Sequence, residues 1–254
     1  MSLLKSFCSA FLMYSRIPVP RVEWKEENRR FSLCFFPLVG AVTAGLFLLW
    51  FLVCEKLGFE KIFFAAFASA IPVIVTGGIH LDGFCDVCDA KACLEGREKM
   101  FGVMKDSRIG AFAAIDLVIY FLIQTACFAE IKSFETALIC ASGFVLSRAW
   151  SGLAAVTFKS AKGKGTLQSF SKPAHKKITV FSEVLYIIGT GFFMMNLNFK
   201  TGGCAFLGSL ITFVYYRIFS YKKFGGTTGD IAGCFLQICE LFTVLCAVIA
   251  GVIL

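Results

Sequence analysis

A chain of 254 residues that is 57% hydrophobic and 17% charged, with 30 phenylalanines, has too little polar surface to clothe a water-soluble globule. Part of its solvent is therefore lipid. The formal net charge of +8 matters less than its placement, and the apolar runs leave no room for a separate soluble domain. The opening segment, Met1 to Pro20, has a basic residue and a short apolar run, but Arg16-Ile-Pro-Val-Pro is no small-residue cleavage site. An interfacial helix is expected there. Hydrocarbon about 30 Å thick needs roughly 20 apolar residues per helical crossing. Seven stretches qualify, at 31–54, 62–78, 109–129, 134–158, 179–197, 202–220 and 231–254. The expected fold is all-α: one polytopic transmembrane helical domain over residues 1–254.

Basic residues in short loops stay on the cytoplasmic side. Residues 1–30 carry six Lys/Arg, 79–108 five, 159–178 six and 221–230 two, whereas the alternate connections carry only Lys56, Lys61, Lys132 and Lys200. This alternation predicts an odd number of crossings, with the N-terminus inside. Positive-inside bias alone explains the basic loops. The run Lys159-Ser-Ala-Lys-Gly-Lys164-Gly also suits a polyanionic substrate or anionic lipid.

Twelve cysteines do not make a disulfide framework, because Cys34, Cys127, Cys140, Cys204, Cys239 and Cys246 fall in apolar spans, where they act as small hydrophobes. Cys85 and Cys88 read as half a zinc site or a redox pair, with no second CxxC to complete either. Among the ionisable residues inside the spans, Asp116, Arg148, Glu183, Arg217 and Glu240, Asp116 and Glu183 are each expected to pair with another of the set and fix helix packing. Arg148 and Glu240 are candidates to line a cleft above the cytoplasmic face.

The stretch Thr76-Gly-Gly-Ile-His-Leu-Asp-Gly-Phe-Cys-Asp-Val-Cys-Asp-Ala-Lys91 places Asp82, Asp86 and Asp89 at i, i+4 and i+7, along one face of a helix. Like charges so placed repel unless a cation neutralises them. Hard oxygen donors of this kind suit Mg²⁺ or Mn²⁺ bridging to phosphates; the competing reading is a solvated acidic face. His80 is a candidate proton acceptor or a structural partner of a nearby acid. Downstream, Met104-Lys-Asp-Ser-Arg-Ile-Gly110 supplies Lys105, Ser107 and Arg108 for phosphate oxygens, with Asp106 a further ligand or base; juxtamembrane anchoring explains the same cations. Phe224-Gly-Gly-Thr-Thr-Gly-Asp-Ile-Ala-Gly233 precedes the last span on the same face. Its glycines allow close approach of an anion, and Thr228 and Asp230 are candidate binding residues.

These motifs together resemble the cobalamin synthase family, adenosylcobinamide-GDP ribazoletransferases. The resemblance runs from Tyr14-Ser-Arg-Ile-Pro-Val-Pro and Phe36-Pro-Leu-Val-Gly, through Gly77-Gly-Ile-His-Leu-Asp-Gly and Lys105-Asp-Ser-Arg-Ile-Gly, to Gly225-Gly-Thr-Thr-Gly-Asp. It implies a Mg²⁺-dependent enzyme of the bacterial cytoplasmic membrane, resident in the lipid bilayer and acting on no nucleic acid. The 5′-hydroxyl of α-ribazole, or its 5′-phosphate form, would attack the cobinamide-linked phosphorus of adenosylcobinamide-GDP, releasing GMP. Asp82, Asp86 and Asp89 would be metal ligands, with Lys105, Asp106 and Arg108 serving the diphosphate and its metal. Cys85 and Cys88 depart from that family's usual small apolar residues, which argues against a catalytic thiol.

Two rival readings remain open at this point. Other membrane phosphotransferases and prenyltransferases use spaced aspartates, but with spacings not seen intact here. A transporter would place its ionisable groups nearer the bilayer midplane and show internal repeats; these acids cluster at one membrane edge.

Overall fold

The protein is described by a computed structural model covering residues 2–93, 96–163 and 165–253. Among these residues the fold is helical, with one isolated parallel bridge between Ser160 and Thr227. The short helices α1 (Ser2–Tyr14) and α2 (Glu26–Arg29) lead into α3 (Phe36–Leu57). Pro37 sits in the first turn of α3, where its missing N–H has no cost, and Gly58 closes the helix in the left-handed region.

Helix α4 (Lys61–Thr76) has 16 residues, about 24 Å at 1.5 Å per residue, short of the hydrocarbon thickness. It stops at Gly77 and Gly78, at φ +66° and +79°, and the chain bends by 98° into α5 (Ile79–Ala92). A side chain at position 77 would collide with Arg16, since a Cβ there lies 2.4 Å from Nε. The expected second span at 62–78 is thus a short arm, and the acidic run is a helix lying crosswise instead of a loop. Six other helical stretches are long and apolar enough to cross a membrane, seven crossings if the bent pair counts as one.

After α6 (Arg97–Val103), these stretches include α7 (Ala111–Ala129) and α8 (Phe134–Thr157). The six-residue α9 (Thr166–Ser171) then precedes α10 (Lys176–Leu197), α11 (Phe199–Phe219) and α12 (Gly229–Ile253). Helix α8 is the centre: 83% of its most apolar window is buried, against 28% for α7 and α10. Small residues let neighbours approach it closely. A Cβ on Gly40 of α3 would lie 2.2 Å from the Phe144 carbonyl oxygen. By contrast α7 and α10 expose Ile115, Val118, Leu122, Leu185, Ile188 and Phe192, an apolar surface of the kind that hydrocarbon suits.

Arg148 and Glu240 form a fully buried ion pair joining α8 to α12, Nη1 to Oε1 2.6 Å, so they are a packing device and line no cleft. Asp116 faces Lys91 at 3.9 Å, a partner from α5 and not one of the other ionisable residues inside the spans. Glu183 departs from expectation: it is buried against Gly152, and among the described residues neither carboxylate oxygen has a hydrogen-bond partner.

Candidate active site

Helices α5 and α12 touch backbone to backbone. A Cβ on Gly83 would lie 2.8 Å from the Asp230 Cα, and one on Gly233 would lie 3.0 Å from the His80 carbonyl oxygen. Glycine at both positions seats the first turn of α12 on the acidic helix and brings Asp230 opposite Asp82 and Asp86. The segment before α12 is pinned in turn, with Thr227 N–H donating to Lys159 O at 2.8 Å and Ala161 N–H donating to Thr227 O at 2.9 Å. The Tyr216 and Thr227 hydroxyls also hydrogen-bond.

A cavity of about 920 Å³ opens beside α5, lined by Asp82, Asp86 and Asp89 on one wall and by Lys105 to Arg108 on the other, with Arg16 at its edge. A second cavity of about 320 Å³ lies across α5, lined by Tyr14, Phe36, His80 and Asp230; Asp82 borders both. Burial, then the charges of Asp82, Asp230 and Asp89, push Asp86 up to about 7, opposed by Lys162. A carboxylate so crowded favours a cation.

The structure redistributes the expected roles. Asp89 Oδ2 accepts from Gly110 N–H at 2.7 Å and Oδ1 from Ala113 N–H at 2.9 Å, so it caps the N-terminus of α7. The expected three-ligand set therefore does not converge, and among the described residues no group of three or more His, Cys, Asp or Glu side chains is placed to hold a metal ion. Asp106 and Arg108 clamp each other, with Nε to Oδ1 at 3.0 Å and Nη2 to Oδ2 at 2.8 Å. That pairing holds the Asp106 carboxyl below its usual range, which makes it a poor base and occupies the Arg108 fork. Lys105 and Ser107 line the cavity as expected. The Thr228 hydroxyl lies 3.4 Å from Asp230 Oδ2 and accepts from Ile231 N–H at 3.3 Å, capping α12. Burial, then Arg148, hold the His80 imidazole down at about 3. It is a neutral hydrogen-bonding group facing the smaller cavity, ill suited to taking a proton. Cys85 and Cys88 are free, and burial raises both thiols, contrary to a zinc or redox pair.

One cation, Arg16, was missed; a second, Lys162, stands in the basic run already expected to suit a polyanion. Arg16 lines the larger cavity, and among the described residues its guanidinium has no ion-pair or hydrogen-bond partner; its place beside Gly77 is long-range and leaves no local signal. Lys162 acts electrostatically on Asp86 and Asp230, with its ammonium 4.4 Å from the Phe101 ring centroid. Lys164 of the same run lies outside the described residues. Arg97, also near the acids in sequence, spends its guanidinium on the carbonyls of Tyr221, Lys222 and Lys223.

The family described as cobalamin-5-phosphate synthase matches residues 6–248. The chain belongs to this family. A relative from Lachnoclostridium phytofermentans, named adenosylcobinamide-GDP ribazoletransferase, is 42% identical over 100% of this chain and 97% of its own length. Relatives of the same name from Clostridium kluyveri and Treponema denticola are each 32% identical, over 97% and 94% of this chain and 98% and 95% of their own. No solved structure matches. The match covers the whole bundle, including the residues that line both cavities.

One consequence concerns Asp89. Replacing it with Asn puts an amide N–H against a backbone N–H, and thermal unfolding should show a loss of about 1 kcal/mol. Unchanged stability would release Asp89 from the cap.

Proposed function

We propose that this chain is the adenosylcobinamide-GDP ribazoletransferase of its cell, a membrane transferase that joins adenosylcobinamide-GDP to α-ribazole or its 5′-phosphate and releases GMP. The observation that carries the reading is Asp82, a carboxylate bordering two cavities, one of them lined by Arg16 and Lys105, which have no ion-pair partner among the described residues. A ribose hydroxyl forms a new P–O bond to the cobinamide-side phosphorus, the anhydride P–O bond breaks, and the hydroxyl proton leaves. A ribazole already phosphorylated on its 5′ oxygen has no 5′-hydroxyl to attack with. The nucleophile common to both forms is therefore a secondary ribose hydroxyl, which replaces the expected 5′ one.

The donor set fits Mg²⁺. Asp82 and Asp86 are hard oxygen donors without an ion-pair partner among the described residues, and a cation that keeps several waters needs few protein ligands. These two would hold it, and when bound it supplies charge neutralisation on the diphosphate. Lys105 and Arg16 bind diphosphate oxygens, and the crosswise α5 orients the reacting groups. The basic 1–30, 79–108 and 159–178 segments support a site on the cytoplasmic face of the inner membrane, with the N-terminus inside.

The testing experiment is a mass-spectrometric assay of lipid-reconstituted protein with adenosylcobinamide-GDP, α-ribazole and Mg²⁺, with EDTA as control. Metal-dependent GMP release with a new cobalamin mass supports the reading; no turnover by folded protein overturns it. Removing Lys105 or Arg16 should raise KM for the GDP-linked substrate by about 1.5–3 kcal/mol of lost binding each, with less effect from Arg108→Gln. Equal effects on both substrates would sink the clamp.

The burial and neighbouring carboxylates that push Asp86 up to about 7 favour its protonated form below that pH. Metal binding must displace that proton, so Mg²⁺ affinity should fall roughly tenfold per pH unit below 7 and level off above it. Calorimetry at pH 6 in buffers of different ionisation enthalpy should record close to one proton released. Buffer-independent heats would remove Asp86 from the ligand set.

A further inference from the structure

The smaller cavity has a chemistry of its own. Three rings form one side: Tyr14 and Phe36 with centroids 4.2 Å apart, Phe36 and His80 at 5.8 Å, and Tyr14 and His80 at 6.3 Å and 20°. His80 is 6% exposed, and its Nε2 has no hydrogen-bond partner among the described residues. A buried polar nitrogen left unpaired is costly, so a ligand group or water is expected to meet it. Asp82 and Asp230 lie at the other side, where the two cavities adjoin.

At about 320 Å³ the space is at the lower end of the range for small-molecule sites. A corrin macrocycle with its side chains does not fit; a nucleoside does. Three nucleosides take part in the reaction: the adenosyl group, which is bound to the corrin that does not fit, and guanosine and α-ribazole, whose edges differ. Guanine presents several donors and acceptors that all need partners, whereas a benzimidazole-type base is apolar apart from one unsubstituted ring nitrogen. An aromatic wall with one orphan nitrogen matches the second, whose ribose then takes the polar side formed by Ser151, Thr166, Asp82 and Asp230.

We infer that the smaller cavity is the α-ribazole subsite, its base held against Tyr14, Phe36 and His80 and its ribose directed to Asp82, with the diphosphate substrate confined to the larger cavity. This rests on the reading of the chain as a ribazoletransferase. His80 is thereby a binding residue that selects a flat base with a single ring acceptor.

The chain has two histidines, His80 and His175, so ¹⁵N-histidine NMR of the wild-type protein in lipid gives two ring systems, assigned with His80→Gln. Adding α-ribazole should shift the His80 Nε2 resonance, and adding GMP or GDP should leave it in place. A shift with the guanine nucleotides instead, or none with saturating α-ribazole, overturns the assignment. In the same preparation Tyr14→Leu should raise KM for α-ribazole tenfold or more and leave that for adenosylcobinamide-GDP within twofold; the reverse pattern counts against the subsite. Turnover by wild-type protein with a silent His80 would reject the subsite alone, whereas absent turnover would reject the activity.

Discussion

Asp82→Asn should reduce turnover by about 10³-fold or more, equivalent to roughly 4 kcal/mol of transition-state stabilisation, with little change in melting temperature. The substitution keeps the shape of the side chain and removes its charge at the one carboxylate that borders both cavities. Asp86 borders only the larger one, so Asp86→Asn should weaken Mg²⁺ binding and be partly rescued by high Mg²⁺. Asp82→Asn should resist such rescue, because Asp82 stands where the attacking hydroxyl and the phosphorus must meet. The comparison needs only steady-state assays over a range of Mg²⁺. Near-normal turnover of Asp82→Asn would remove the residue from the mechanism; loss of folded protein would make it structural.

Breaking the Arg148–Glu240 pair should be the most damaging structural change. Both side chains are buried, at 0% and 2% exposure, and Glu240 Oε1 also accepts from Ser147 Oγ at 3.1 Å. Glu240→Leu leaves a charged guanidinium in the bundle centre, and the expected destabilisation is about 3–5 kcal/mol. Arg148→Met combined with Glu240→Leu should recover most of that loss, since a buried pair exchanged for apolar side chains of similar size is often close to neutral. Thermal unfolding in one detergent, or expression yield in membranes, would report it. If the double variant is no better than the single ones, the pair specifies how α8 and α12 dock and does more than neutralise charge.

Much of this architecture is legible in the sequence because hydrocarbon imposes one rule, long apolar helices, and the apolar runs obey it. The acidic i, i+4, i+7 spacing likewise places Asp82 and Asp86 on one helix face. What spacing does not show is what each carboxylate already binds. Asp89 shares that face, but the chain returns so that Gly110 and Ala113 reach it from 21 and 24 residues away. Arg108 carries the expected charge, yet Asp106, two residues back, holds it. Arg16 and His80 depend on tertiary contacts: one lies over Gly77, and the other sits beside Tyr14 and Phe36 on one side of a cavity built from six parts of the chain. The second stretch ends at Gly77-Gly78 as drawn; what the sequence does not show is that the chain turns there by 98° into another helix.

The Arg148–Glu240 pair also bears on how the protein is made. The two residues are 92 positions apart, so at about 5–20 residues per second Arg148 waits roughly 5–20 s during synthesis before its counter-charge is made. Helix α8 therefore enters the membrane carrying a cation that its final partner cannot yet neutralise, and α12, which also brings Asp230, both releases it from that state and completes the site. Translation of the last helix is then the step at which a nascent chain becomes an enzyme, and chains stalled before it are the ones that membrane quality control should find.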